Sequence, residues 1–83
     1  MQAAQLVDLL TRLGLPRDGE VFACPAGHLV TVYLGLGTEP LIIDRVARID
    51  VAGEHLLITG VRKDRYATAV AQVLAVRLAA DSK

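Results

Sequence analysis

Apolar residues recur with a helical period at the start of the chain and with a strand period in its middle. Between residues 3 and 13 the leucines fall every three or four positions, which is the spacing of one helix face. Gly14 and Pro16 follow, and both residue types commonly end helices. The pattern predicts an amphipathic helix over residues 3–13.

The middle of the chain is typical of antiparallel strands. Strands are predicted at 20–24, 28–34, 41–51 and 54–61, where β-branched residues are frequent and Gly or Pro separates most of the segments. Within 41–51 the odd positions are mainly apolar and the even positions mainly polar, as in a sheet with one face in water. These segments predict a meander of three or four strands.

The last segment admits two interpretations. Residues 65–79 are predicted to be helical because alanine is frequent there and is the best helix former, with Asp64 as the N-cap. The alternative is two short strands, 66–70 and 73–78, indicated by the valines. We expect a single α+β domain over residues 1–83: an N-terminal helix, the meander and a C-terminal helix, with the helices covering one face of the sheet.

Composition indicates a binding function rather than catalysis. Hydrophobic residues make up 53% of the chain and aromatic residues only 4%. A domain of this size buries a smaller share of its surface than a larger one, so we expect the excess apolar surface to contact another molecule. The chain is therefore predicted to be a non-enzymatic interaction or assembly module that forms a homo-oligomer or docks on another protein.

The cysteine count and the hydropathy pattern bear on location. Cys24 is the single cysteine, which excludes an internal disulfide and favours a reducing compartment. No apolar run approaches the roughly 18 residues of a membrane-spanning helix, and the first residues lack a basic signal-peptide start. We expect a soluble cytoplasmic protein without a membrane span.

Few residues are candidates for chemistry. Cys24 and His28 suggest a thiolate nucleophile, and with His55 a zinc site, but the paired close spacing of metal ligands is absent from the sequence. We therefore predict no catalytic residue, no cofactor and no bound metal. An enzyme that uses Cys24 and His28 is the least favoured hypothesis.

The run from residue 62 to 65 is the densest basic segment. Arg62, Lys63 and Arg65 are the candidate contacts for phosphate or for a partner, and Arg45 and Arg48 are expected nearby. Nucleic acid is not the favoured partner, because the net charge is zero and aromatic residues that stack on bases are scarce.

The segment Val30-Thr31-Val32-Tyr33-Leu34, followed after two residues by Gly37, resembles the first strand and glycine of the Sm/Lsm family in its bacterial Hfq form. The order of a helix followed by strands is similar as well, with Asp50 later in the chain. The resemblance implies, as the alternative, a small five-stranded β-barrel with an N-terminal helix, assembled into a ring that binds RNA.

Overall fold

The computed structural model describes residues 1–35 and 37–81. Within these residues one helix, α1 (Ala3–Leu13), precedes eight strands. The strands are β1 (Arg17–Asp18), β2 (Val21–Ala23), β3 (His28–Gly35), β4 (Pro40–Ile43), β5 (Val46–Ala52), β6 (His55–Gly60), β7 (Arg65–Ala69) and β8 (Val73–Ala80). A single turn of 3-10 helix, Val70–Gln72, joins the last two strands.

The N-terminal helix is confirmed with the predicted bounds. The backbone N–H of Gln2 donates to the side-chain carbonyl of Gln5, which holds the first turn. Gly14 ends the helix in the left-handed conformation, with φ of 85°, where glycine carries no steric penalty. Leu6 and Leu10, one turn apart, are fully buried and attach this helix to the core.

The strands form two antiparallel sheets. Sheet A has the order β1-β2-β5-β6-β7, and sheet B has the order β4-β3-β8. The predicted strand over 41–51 is divided at Asp44 and Arg45, so that β4 pairs in sheet B and β5 in sheet A. The two sheets and α1 share one cluster of buried side chains.

A cross-strand row of large side chains forms the inner face of sheet A. Phe22, Ile49 and Ile58 are opposite one another on β2, β5 and β6, and each is at most 1% exposed. On sheet B, alternate residues of β3 point into the same core, among them Val30 and Val32. The period-two pattern of 41–51 predicted the inward side chain of Ile49 but missed Val46, which lies at an even position and is 1% exposed.

The predicted fold class is wrong in two respects. Residues 65–79 are not a C-terminal helix: they form β7, the 3-10 turn and β8, which correspond to the two-strand alternative. Instead of a meander of three or four strands, the described residues form a pair of sheets with eight strands. The alternative of a five-stranded barrel is also incorrect, because the described strands form two sheets and no closed barrel.

Strand pairing explains why helix propensity did not determine the secondary structure of residues 65–79. The differences in helix propensity between ordinary residues are at most about 0.7 kcal/mol each. As strands, β7 pairs with β6 over five residue positions, and β8 pairs with β3 over most of its length. This pairing gives hydrogen-bond partners to backbone N–H and C=O groups of the segment. It also places Val70, Val73 and Val76 in or against the core.

Candidate interaction surfaces

The free side of β8 is the longest unpaired strand edge among the described residues. β8 pairs with β3 on one side only, and it contains one charged residue, Arg77, in eight. The other strands at sheet edges are shorter: β1 has two residues, β4 has four and β7 has five. We refer to this free side of Val73–Ala80 as the β8 edge.

A bulge exposes a leucine at the beginning of the β8 edge. Tyr33 pairs with Ala75 and Leu34 with Val73, so Leu74 is the extra residue between the two pairs. Its side chain is 60% exposed, more than that of any other large hydrophobic residue in the described chain. A Cβ added at Gly35 would lie 3.2 Å from Leu74 Cδ2, so the glycine leaves room for this side chain.

A groove lies between α1 and the beginning of β8. Its volume is about 460 Å³, and it is lined by Met1, Gln5, Asp8, Leu9, Val73 and Leu74. Leu9 is 40% exposed although it lies on the same helix as the buried Leu6 and Leu10. The groove therefore places exposed apolar surface directly beside the β8 edge.

The predicted basic contacts lie at one end of sheet A. Arg48 pairs with Thr59, and Thr59 pairs with Arg65, so the three side chains form one row on the outer face. The backbone N–H of Val61 donates to the carbonyl of Arg45 at 2.9 Å, which brings the β4–β5 link beside the β6–β7 turn. We call this group the basic end of sheet A: Arg45, Arg48, Arg62, Lys63 and Arg65.

The structure confirms that Arg45 and Arg48 lie near the basic run. All five side chains of the basic end are exposed. Within the described residues, the single ion pair joins Arg12 to Asp8 on α1, at 2.8 Å. The five cations are therefore free to meet an anionic partner.

Cys24 and His28 do not form the arrangement of a catalytic dyad. The Cys24 thiol donates to the backbone carbonyl of His28, with Sγ and O 3.1 Å apart, while the His28 ring contacts the Ala26 carbonyl through Nδ1 at 3.0 Å. Burial is the main cause that raises the pKa of Cys24 above its ordinary value. A raised pKa reduces the thiolate fraction, which is the opposite of what a nucleophilic cysteine needs.

Metal-ligand geometry is not found in the described part of the chain. No group of three or more His, Cys, Asp or Glu side chains there is arranged to hold a metal ion. No helix in residues 1–35 and 37–81 has the length and apolar character needed to cross a membrane.

The surfaces with a distinctive arrangement are thus the β8 edge with its groove and the basic end of sheet A. Sequence reasoning found the basic end through the local run at 62–65 but missed the β8 edge, because it treated that segment as a helix. Comparison of the chain with protein-family models, with curated proteins and with solved structures finds no match.

Proposed function

We propose that this chain is a non-enzymatic assembly module in which two copies pair their β8 edges about a two-fold axis. The observation that carries the proposal is the β8 edge itself, which has eight residues and one charge. An unpaired edge presents a row of N–H and C=O groups that a second strand can satisfy. Pairing would turn two three-stranded sheets into one sheet of six strands.

Apart from the bulge at Leu74, the edge lacks the features that usually prevent such pairing. Natural edge strands are short, or carry Lys, Pro or inward charges. β4, at the opposite edge of sheet B, has four residues and begins with Pro40. β8 has no proline, and its bulge is confined to Leu74, beyond which Ala75 to Ala80 pair in regular register with β3.

A second copy is the occupant that composition favours. The formal net charge is zero, so two copies do not repel one another as strongly charged domains do. The groove between α1 and β8 adds apolar contact area, because the exposed Leu9 and Leu74 both line it beside the β8 edge. A closed two-fold contact is the commonest form of homo-oligomer.

The test is the mass of the protein in solution, measured by light scattering during size exclusion at micromolar protein concentration and high ionic strength, where contacts between exposed charges are screened. We expect a dimer for the natural chain and a monomer for Leu74→Lys, because the new charge lies at the edge where the partner strand would pair. Leu9→Lys, on the exposed face of α1, should weaken the dimer without touching any strand. The matched control is Ile42→Lys on β4, which replaces a side chain 52% exposed at the other edge and should leave the mass unchanged.

Circular dichroism of each variant establishes that it is folded. A natural chain that is monomeric at these concentrations contradicts the proposal. So does an Ile42→Lys variant that loses the dimer while Leu74→Lys keeps it. Docking on a different protein would give a monomeric chain alone and a Leu74-dependent complex with that protein. The RNA-binding function implied by the Sm/Lsm resemblance stays an untested prediction.

A further inference from the structure

Charge on sheet A is segregated between its two ends. The basic end lies where β5 begins, β6 ends and β7 begins. At the other end of the same strands lie three exposed carboxylates, which we call the acidic end: Asp18, Glu20 and Glu54. Val51 donates its N–H to the Glu20 carbonyl, which places the β1–β2 turn beside the end of β5. The ends of β5 are roughly 20 Å apart, from about 3.3 Å per residue.

The side chains near each end do not cancel this polarity. Two carboxylates near the basic end offset only part of its charge, because its cations outnumber them five to two: Asp44 accepts from the Thr31 hydroxyl at 3.2 Å and Asp64 from the Tyr66 hydroxyl at 3.0 Å. At the acidic end, Arg17 donates through Nε to the Gly19 carbonyl and makes no ion pair with the described carboxylates. Both ends therefore present unpaired charge, of opposite sign.

Backbone conformation marks the basic end independently of charge. Arg45 has φ of 53° and Lys63 has φ of 70°, and these are the two residues other than glycine with positive φ in the described chain. Long side chains rarely occupy this left-handed region, where glycine is free of the steric cost. Strained positions of this kind cluster at functional sites. Two of the five cations are thus held where glycine would fit the backbone better.

The two ends of sheet A also differ in surface shape: a turn lies at the basic end and a depression at the acidic end. At the basic end the β6–β7 turn is closed by hydrogen bonds between Gly60 and Asp64 and between Lys63 and Gly60, and its exposed residues include Arg62 and Lys63. At the acidic end, a depression of about 610 Å³ lies between the start of α1 and the segment around Val70, with Glu54 on its wall.

We propose that copies of this chain associate head to tail, with the basic β6–β7 turn of one copy docked at the acidic end of sheet A of the next. This contact is distinct from the β8 edge and does not depend on the proposed function. The occupant is a second copy because the chain carries both halves of the contact and has no net charge. A head-to-tail contact is not closed by two-fold symmetry, so it generates rings or chains of copies.

Complementary charge reversal tests the contact. One variant carries Arg48→Glu, Lys63→Glu and Arg65→Glu, and the other carries Asp18→Lys, Glu20→Lys and Glu54→Lys. Three changes are combined because exposed ion pairs are individually weak. All variants are made in the Leu74→Lys background, so that failure of the β8 contact and failure of this contact are distinguished.

Sedimentation velocity at low ionic strength is the measurement. We expect the Leu74→Lys parent to associate, each reversed variant alone to be monomeric, and an equimolar mixture of the two to associate again. Association of the parent should weaken roughly tenfold or more on going from low to high salt, because exposed charges are screened. Circular dichroism checks that both reversed variants are folded.

A mixture that remains monomeric overturns the proposal, as does a reversed variant that associates like its parent. A parent that stays monomeric but binds a short single-stranded oligonucleotide, with loss of binding in the arginine-reversed variant, would also overturn it and assign the basic end to phosphate. Lys63→Gly supplies an independent measurement: it should raise the unfolding midpoint, because strain is relieved, while it weakens association.

Discussion

At the scale of single residues, Asp64 organises the turn between β6 and β7. Its backbone carbonyl accepts the N–H of Gly60 at 2.8 Å, and its carboxylate accepts the hydroxyl of Tyr66. A Cβ on Gly60 would collide with Asp64 Oδ1, so the glycine allows the carboxylate to lie over the turn. The position of this one side chain thus connects the end of β6 to the beginning of β7.

The Tyr66 hydroxyl should titrate at higher pH than an ordinary tyrosine. Its hydrogen bond to Asp64, and then the negative charge of that carboxylate, raise the pKa of Tyr66. Because the phenol has a higher pKa in the folded chain, this contact stabilises the fold below the ordinary pKa of about 10. The contribution is lost as the pH rises through the raised value.

Absorbance titration of a Tyr33→Phe variant measures this shift, since the chain has two tyrosines and only Tyr66 then remains. Adding Asp64→Asn should lower the midpoint, because the charge and the strong acceptor are removed. An unchanged midpoint in the double variant would show that Asp64 does not set the pKa of Tyr66.

At the scale of elements, β7 illustrates how pairing overrides propensity. Its outer face carries Arg65 and Ala67, and its inner face carries Tyr66 and the half-buried Thr68. Alanine favours a helix in isolation, yet each residue of this strand is opposite a residue of β6. The strand is defined by its neighbour rather than by its own composition.

The substitution Ala67→Val tests whether this segment is a strand or a helix, because it should change the stability of the protein in opposite directions in the two cases. Ala67 is exposed on β7, so a β-branched residue should stabilise the protein by a few tenths of a kcal/mol, up to about 1 kcal/mol. The control is Ala4→Val on the exposed side of α1, which should destabilise by up to about 0.7 kcal/mol. Urea unfolding midpoints measure both, and a destabilised Ala67→Val variant would argue against the strand.

The sequence predicted those elements whose pattern is local. The helix over 3–13 was predictable because its leucine spacing and Gly14 lie within one short window. Residues 65–79 were not, since their structure depends on β3 and β6, and nothing within the segment reports those partners. The division of 41–51 was also missed, because a change of sheet at Asp44 and Arg45 leaves both halves with strand-like composition.

The candidate surfaces follow the same rule. The run at 62–65 is visible in the sequence, and Arg45 and Arg48 were expected near it. The acidic end was not visible, since the β1–β2 turn and the β5–β6 turn are far apart in the chain. Only the register of β2 on β5 brings them together.

At the scale of the whole molecule, one core connects both sheets and α1. Phe22 of sheet A, Val32 of sheet B and Leu6 of α1 belong to the same buried cluster, and all three have no exposed surface. Because neither sheet has a separate core, we expect the two sheets to unfold together in one cooperative transition.

The two tyrosines test this expectation, since Tyr33 lies in sheet B and Tyr66 in sheet A. Tyr66→Phe leaves a fluorescent reporter of sheet B, and Tyr33→Phe leaves a reporter of sheet A. For each variant, the urea midpoint from tyrosine fluorescence should equal the midpoint from circular dichroism. A sheet B reporter that changes at lower urea than the circular dichroism signal would instead indicate separate unfolding of sheet B.

We expect the pairing of β3 with β8 to form late in folding. His28 pairs with Ala80 and Leu34 with Val73, so this ladder closes a loop that contains nearly half of the chain, whereas β5, β6 and β7 are joined by short turns. Local hairpins close first, and distant strands meet late because their loop entropy must be overcome. Before its own β8 has paired, β3 has an unpaired edge. The β8 of another incompletely folded copy can pair with that edge through the same contacts. Crowded refolding therefore favours copies that have exchanged their last strand, each completed by its neighbour.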